Sequence, residues 1–158
     1  MVSRRWQSFG KIQEYAATAE MLKRGLDVYM TLVDDKGIDC IVRKDANTYY
    51  DVQIKARSKN VKHPGYFNLS DISDARPNYF FVFYAEKPDK FWVIPSERIT
   101  GSDGGSPLGK QIQPGRKSEG TWYVDPWWQS KTEPEGKTEP GFEEYEDAWH
   151  YLGAEKDL

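Results

Sequence analysis

The sequence predicts a chain of the α/β class in its mixed α+β form, a central mixed sheet flanked by helices. Three observations carry that expectation. Between Gly10 and Leu26, the residues Ile12, Ala16, Ala19, Leu22 and Leu26 recur at helical spacing and draw one apolar stripe. Three short segments rich in β-branched and aromatic residues follow, separated by polar turns. Farther on, Tyr79–Tyr84 is a nearly continuous apolar run, the mark of a strand covered on both faces. At 158 residues the chain has the length of one ordinary domain, read here as a single domain over 1–158 with its core at about 8–100.

The helix has Ser8 as a candidate cap and Gly25 as its stop. Leu26–Val33 reads as the first strand, Asp34–Gly37 as a turn and Ile38–Val42 as the second strand. Lys44–Asn47 makes the next turn, and Thr48–Ala56 is a third strand that alternates strongly. A loop with Pro64-Gly65 leads to a polar stretch around 71–77, then to the buried strand and a shorter one over Phe91–Ile94. Residues 101–120, rich in Gly, Ser, Pro and Lys, are expected as an exposed loop, with Thr121–Val124 as an edge strand after it. Lys-Thr-Glu-Pro occurs twice within 131–140, too little for a repeat architecture, and 129–141 is expected as a second exposed, poorly ordered loop. The chain closes with an expected helix over 142–152, docked on the core through Phe142, Tyr145, Trp149 and Leu152.

Composition narrows the function. Lys plus Arg number 22 against 25 Asp plus Glu, a formal charge of -3 that excludes a polybasic binder and an acidic tail protein. The single cysteine, Cys40, excludes an intramolecular disulfide and an all-cysteine zinc site. It alternates to the apolar side with Ile38 and Val42 and reads as a buried small hydrophobe. Two histidines, His63 and His150, give a His-based zinc site almost no material. No apolar run approaches the ~18–20 residues of a spanning helix, and the first residues enter a charged helix rather than a signal core. The expectation is a cytoplasmic protein with no membrane partner. Charge is unevenly spread, +4 over residues 1–62 and -7 over 63–158. A phosphate-binding surface would therefore be local. Aromatics make up 15% of a chain whose mean hydropathy is -0.80, which is an unusual pairing.

The chemistry sits in residues 10–62. On the third strand Tyr50, Val52 and Ile54 point one way while Asp51, Gln53 and Lys55 point the other. A solvent-facing side would explain such alternation. Two further features point to a site. Asp39 starts the adjacent strand and can lie beside Gln53 and Lys55, and Glu14 sits in the early turns of the helix packed over the sheet. Two acids, an amide oxygen and a lysine gathered at a sheet edge can hold a hard divalent cation and activate a water.

This arrangement resembles the PD-(D/E)XK nuclease superfamily over Gly10–Arg57. The residues that carry the likeness are Gly-x-x-x-Glu (Gly10, Glu14), Gly25, Gly-Ile-Asp (37–39) and Asp-Val-Gln-Ile-Lys (51–55). Phe-Trp-Val-Ile-Pro (91–95), after the aromatic strand, is also similar to small prokaryotic resolvase-like and restriction-like members. The resemblance implies a restriction endonuclease-like core of order α-β-β-β-α-β and a magnesium (or manganese) ion as cofactor. It maps Glu14, Asp39, Gln53 and Lys55 onto the catalytic positions. Asp39, Gln53 and the main-chain carbonyl of Ile54 would bind metal directly, with Glu14 acting through water. It implies hydrolysis of phosphodiester bonds in nucleic acid, DNA first. Because many such nucleases dimerise to cut two strands, a homodimer is a further expectation to test.

Gln53 stands where the family usually has Glu. Its amide oxygen can ligate magnesium but brings no charge, so two alternatives stand beside the nuclease. One is a catalytically inactive module of the same fold that binds DNA or a protein; the other is an RNA-cleaving defence or toxin-like protein. Asp51, on the same strand face, could supply the missing charge. Arg57 and Lys59 alternate beyond Lys55, with Lys62 after them, and are candidates for backbone phosphates or for a solvated strand end. The aromatics Trp122, Tyr123, Trp127 and Trp128 could stack on unpaired bases or pack under the terminal helix.

Overall fold

The computed structural model describes residues 2–33, 37–70, 72 and 75–155. The turn expected over Asp34–Gly37 lies largely outside them. The first helix, α1 (Val2–Lys23), starts earlier than expected. Nothing before Gly10 breaks a helix, and the Ser8 hydroxyl donates to the Arg4 carbonyl at 2.8 Å as an interior residue would, so it caps nothing. The stop at Gly25 is a Schellman turn: Gly25 has φ +77°, its N–H donates to Leu22, and the Leu26 N–H donates to Met21 at 3.1 Å.

The face that α1 buries differs from the expected stripe. Ala17 and Met21 are fully enclosed, whereas Ile12 stays 59% exposed and Leu22 56%. The helix carries apolar residues at helical spacing on two faces. The one bearing Ala17 lies against the sheet, because a methyl side chain lets the helix backbone come close.

Strands β1 (Asp27–Met30), β2 (Cys40–Asp45) and β3 (Thr48–Arg57) follow as an antiparallel meander. After a long connection that includes β4 (Phe67–Leu69), β5 (Tyr79–Ala85) lies parallel to β3, with Ile54 opposite Val82. A hairpin then leads to β6 (Lys90–Pro95). The result is a five-stranded mixed sheet of order β1-β2-β3-β5-β6. Among the described residues the connection from β3 to β5 contains no helix; the second helix is the five-residue α2 (Ser96–Thr100), after β6. β5 is covered on both faces, as its apolar run predicts. Phe80 and Val82 face the α1 side, and Phe81 and Phe83 face the other.

The last third is more ordered than its composition suggests. Residues 101–120 contribute the short strand β7 (Lys110–Gln111), which pairs with β8 (Trp122–Val124). β8 is no edge: it is the centre of a three-stranded sheet β4-β8-β7. The 129–141 segment, expected as a disordered loop, is closed by a small antiparallel pair, β9 (Trp127–Trp128) with β10 (Lys137–Thr138). The helix expected over 142–152 is two short 3-10 turns, Glu143–Tyr145 and Trp149–Leu152, parted by Asp147 at φ +48°, a conformation no α-helix continues through. Phe142, Tyr145, Trp149 and Leu152 are all buried. Among the described residues, no helix is long and apolar enough to cross a membrane.

Candidate active site

The site begins where β2 leaves β3. Cys40 opposite Val52 is the last register pair, and just beyond it the Asp39 N–H donates to the Val52 carbonyl at 2.9 Å. On the other side of β3, Asp51 donates its N–H to Asn78 and Arg57 accepts from the Glu86 N–H. Odd-numbered residues of β3 therefore address β5 with their main chain, and even-numbered ones address β2. Past Val52 there is no β2 residue left to meet them. The Ile54 N–H donates instead to Oδ2 of Asp39, at 2.6 Å. The Ile54 carbonyl faces the same gap. A side-chain carboxylate thus completes the ladder where the strand ends, and Asp39 is only 8% exposed while doing so.

Gln53 and Lys55 stand on the β3 face opposite Val52 and Ile54. The Gln53 Oε1 accepts from the Tyr79 hydroxyl at 3.0 Å. On its other side, Gly37, at φ +70°, lies so close that a Cβ there would come within 2.8 Å of the Gln53 Nε2. The glycine of Gly-Ile-Asp is needed twice, for its backbone angle and for the approach of the amide. Lys55 is half-buried and, among the described residues, makes no hydrogen bond or ion pair. Asp51 does not supply charge to the site. Its Oδ2 pairs with Arg76 at 2.5 Å, and Arg76 in turn lies over the Tyr79 ring, 4.6 Å from its centroid.

Glu14 arrives from α1. It accepts from the Lys11 ammonium at 2.7 Å, and that contact is the main reason the Lys11 pKa is raised. Asp39 contributes to the same upward shift, so Lys11 stands in the field of both acids. The Cys40 thiol beneath them is pushed up to about 12, first by burial and then by the charges of Asp39 and Glu14. Asp39 and Ile54 are thus joined directly, Gln53 and Lys55 stand on the adjoining β3 positions, and Glu14, paired with Lys11, shares an electric field with Asp39.

Among the described residues, no group of three or more acids, histidines or cysteines is gathered as a metal site. The donors on offer are two carboxylates, one amide oxygen and one main-chain carbonyl, all hard oxygens, which suit magnesium or manganese and not a thiolate-seeking metal. The Gln53 carbonyl oxygen keeps a second lone pair beyond the one Tyr79 uses.

The cations farther along β3 have separate roles. The Arg57 guanidinium donates to the His63 carbonyl, at 3.1 Å from Nη2, and holds the following loop. The Lys59 N–H donates to Glu86, and its side chain is exposed, as is that of Lys62. Sequence reading missed Lys11, Arg76 and Tyr79 as neighbours of the site. Lys11 had a signal, three residues before Glu14 on one helix face. Tyr79 and Arg76 had none, because they reach Gln53 and Asp51 only through the parallel pairing of β3 with β5.

At the level of sequence, no family model matches the chain and no curated protein matches it. Structure gives a clear answer. The bacterial homing endonuclease I-Ssp6803I superposes with a TM-score of 0.58 at 21% identity, covering 91% of this chain and 88% of that one. Hjc, a Holliday junction resolvase from the archaeal hyperthermophile Archaeoglobus fulgidus, superposes with a TM-score of 0.53 at 12% identity, covering 94% and 98%. The chain shares the restriction endonuclease-like fold of these two proteins. Both neighbours match over nearly the whole chain.

Proposed function

We propose that the protein is a magnesium- or manganese-dependent endonuclease that hydrolyses phosphodiester bonds in DNA. The observation that carries this reading is the open edge of β3. There Asp39 and the Ile54 carbonyl face one gap, with Gln53 and Lys55 on the adjoining positions. Asp39, the Gln53 Oε1 and the Ile54 carbonyl would hold the cation, and Glu14 would act through water. When bound, the cation supplies Lewis-acid stabilisation of the charge that builds on the phosphate. Asp39 keeps its carboxylate aimed by accepting the Ile54 N–H, so no reorganisation is needed as charge develops. Lys55 positions the attacking water in line with the phosphorus and offsets phosphate charge. The water oxygen bonds to phosphorus and gives up a proton to solvent as the bond to the leaving oxygen breaks, and the leaving oxygen takes up a proton from solvent. Lys59 and Lys62, free at their tips, take backbone phosphates, a contribution that weakens with salt.

One observation favours a second reading. Gln53 is neutral and its oxygen is already engaged by Tyr79, as expected of a fold that binds DNA without cutting it. Incubation with plasmid, branched DNA and RNA, with magnesium or manganese or with EDTA, separates the readings. The nuclease reading expects metal-dependent cleavage of DNA that falls by roughly 10²–10⁴-fold in Lys55→Ala and in Asp39→Asn. The asparagine retains an oxygen for the Ile54 N–H, so the fold is kept. Wild type and Gln53→Glu both inert on every substrate, yet still binding DNA, would select the binding module. Cleavage confined to RNA would select the RNA-cleaving alternative.

A further inference from the structure

The Trp127-Trp128 pair is divided by the fold. Trp127 is buried to 8% exposure in the layer under the main sheet, while Trp128, the next residue, is 38% exposed. The β9–β10 pairing places Lys137 opposite Trp128, and the Lys137 ammonium stands over the indole, 5.3 Å from the ring centroid. Trp128 is a partition between two open grooves. One, of about 470 Å³, is bordered by Lys62, His63, Ser130 and Lys131. The other, of about 400 Å³, is bordered by Lys110, Tyr123 and Glu139. Asp125 belongs to both walls.

The first groove continues the row of the candidate active site. Gln53, Lys55 and Arg57 share one face of β3, and Arg57 is two residues, about 7 Å, past Lys55. Its guanidinium holds the carbonyl of His63, on the groove's rim. A strand leaving Lys55 in that direction meets the groove that Lys62, Lys131 and Trp128 line. Asp125, a carboxylate in the wall of the same groove with Glu139 near it, disfavours a phosphate beside it, while Lys62 and Lys131 favour one.

Resting on the nuclease reading, we propose that Trp128 is a stacking platform for an unpaired nucleobase of a nucleic-acid strand that extends past the scissile phosphate, with Lys62 and Lys131 taking its flanking phosphates. An indole face accepts any base, and a neighbouring cation adds to the contact without reading sequence. The site is thus specific for unpaired strand and not for sequence.

The test is equilibrium binding in EDTA, which separates it from cleavage. The probes are a labelled oligo-dT strand, a duplex with a single-stranded tail, and the blunt duplex. Trp128→Ala is expected to weaken the strand and the tailed duplex by roughly 5- to 100-fold, the range of one lost base stack. The blunt duplex should change less than twofold. Trp128→Phe should recover most of the loss, which a collapsed hairpin would not allow. In the Lys62→Ala/Lys131→Ala double variant, the slope of log affinity against log salt for oligo-dT should fall by about 1.4. Equal weakening of tailed and blunt duplex by Trp128→Ala, or none of either, overturns the stacking site and leaves the nuclease reading intact. A wild-type protein that binds none of the three probes overturns both.

Discussion

The two faces of the central sheet are covered by different means. On one, the long helix and the closing turn Trp149–Leu152 lie over the strands, and most of the core there is small or aliphatic, as at Ala17, Met21, Cys40, Val42, Val52 and Val82, with Tyr50, Phe80 and Trp149 as its buried rings. On the other, the longest regular helix among the described residues has five residues, and strands of two or three residues do the rest. That face is filled with rings: Phe67, Tyr79, Phe81, Phe83, Trp92, Trp127, Phe142 and Tyr145. A 22-residue helix brings apolar surface in continuous supply, whereas a short strand or turn brings one or two residues, each of which must bury more. An aromatic side chain buries 150–250 Å². Much of the aromatic excess in a polar chain lies on the sheet face that no long helix covers. The ringed face also carries the polar row Asp51, Gln53, Lys55 and Arg57. Tyr79 marks the border, its ring among the other rings and its hydroxyl on Gln53.

The largest effect that tests this contrast is on stability. Trp92, on the edge strand β6, is fully buried in the ringed face, and Trp92→Ala should cost about 3–5 kcal/mol in urea unfolding. Met21→Ala under the helix should cost less, near the lower end of about 2–5 kcal/mol, because a helix can settle into a small gap. Equal losses would break the contrast.

A smaller effect probes the border itself. Tyr79→Phe keeps the ring and removes the hydroxyl that holds the Gln53 amide. It should raise the manganese concentration needed for half-maximal thermal stabilisation roughly tenfold, equivalent to about 1.4 kcal/mol for one lost hydrogen bond. An unchanged manganese titration would mean that the ring alone matters at position 79.

The smallest effect concerns the outer face of α1. Ile12→Ser and Leu22→Ser should each change stability by less than about 0.5 kcal/mol, because both side chains are mostly exposed. A loss of more than ~2 kcal/mol at Ile12 would return the core to the stripe that the spacing predicts.

That stripe shows where sequence stopped being legible. Period alone marks an apolar face, and α1 has two, so the choice fell to tertiary contact between Ala17 and the sheet. The strands were legible because alternation in β3 and saturation in β5 have different physical causes, one covered face against two. The order of the acids, glycine and lysine led to the right fold. The neighbours of Gln53 were not legible, since Tyr79 reaches it across a parallel pairing 26 residues away. The closing helix failed at Asp147, whose backbone angle depends on its position over β6, where its N–H meets the Phe91 carbonyl.

The bond from Ile54 to Asp39 gives these two positions different histories. Asp39 serves the backbone as well as any metal, so replacing it with an apolar residue leaves a buried N–H unpaired, at about 1–3 kcal/mol. On the nuclease reading proposed above, a descendant that had abandoned cleavage would still be selected to keep an acceptor there. Lys55 has no such second duty among the described residues. Once catalysis ceased, nothing in the fold would hold a lysine at that position. In a set of related chains, then, the persistence of the aspartate reports on architecture, and the persistence of the lysine reports on a living enzyme.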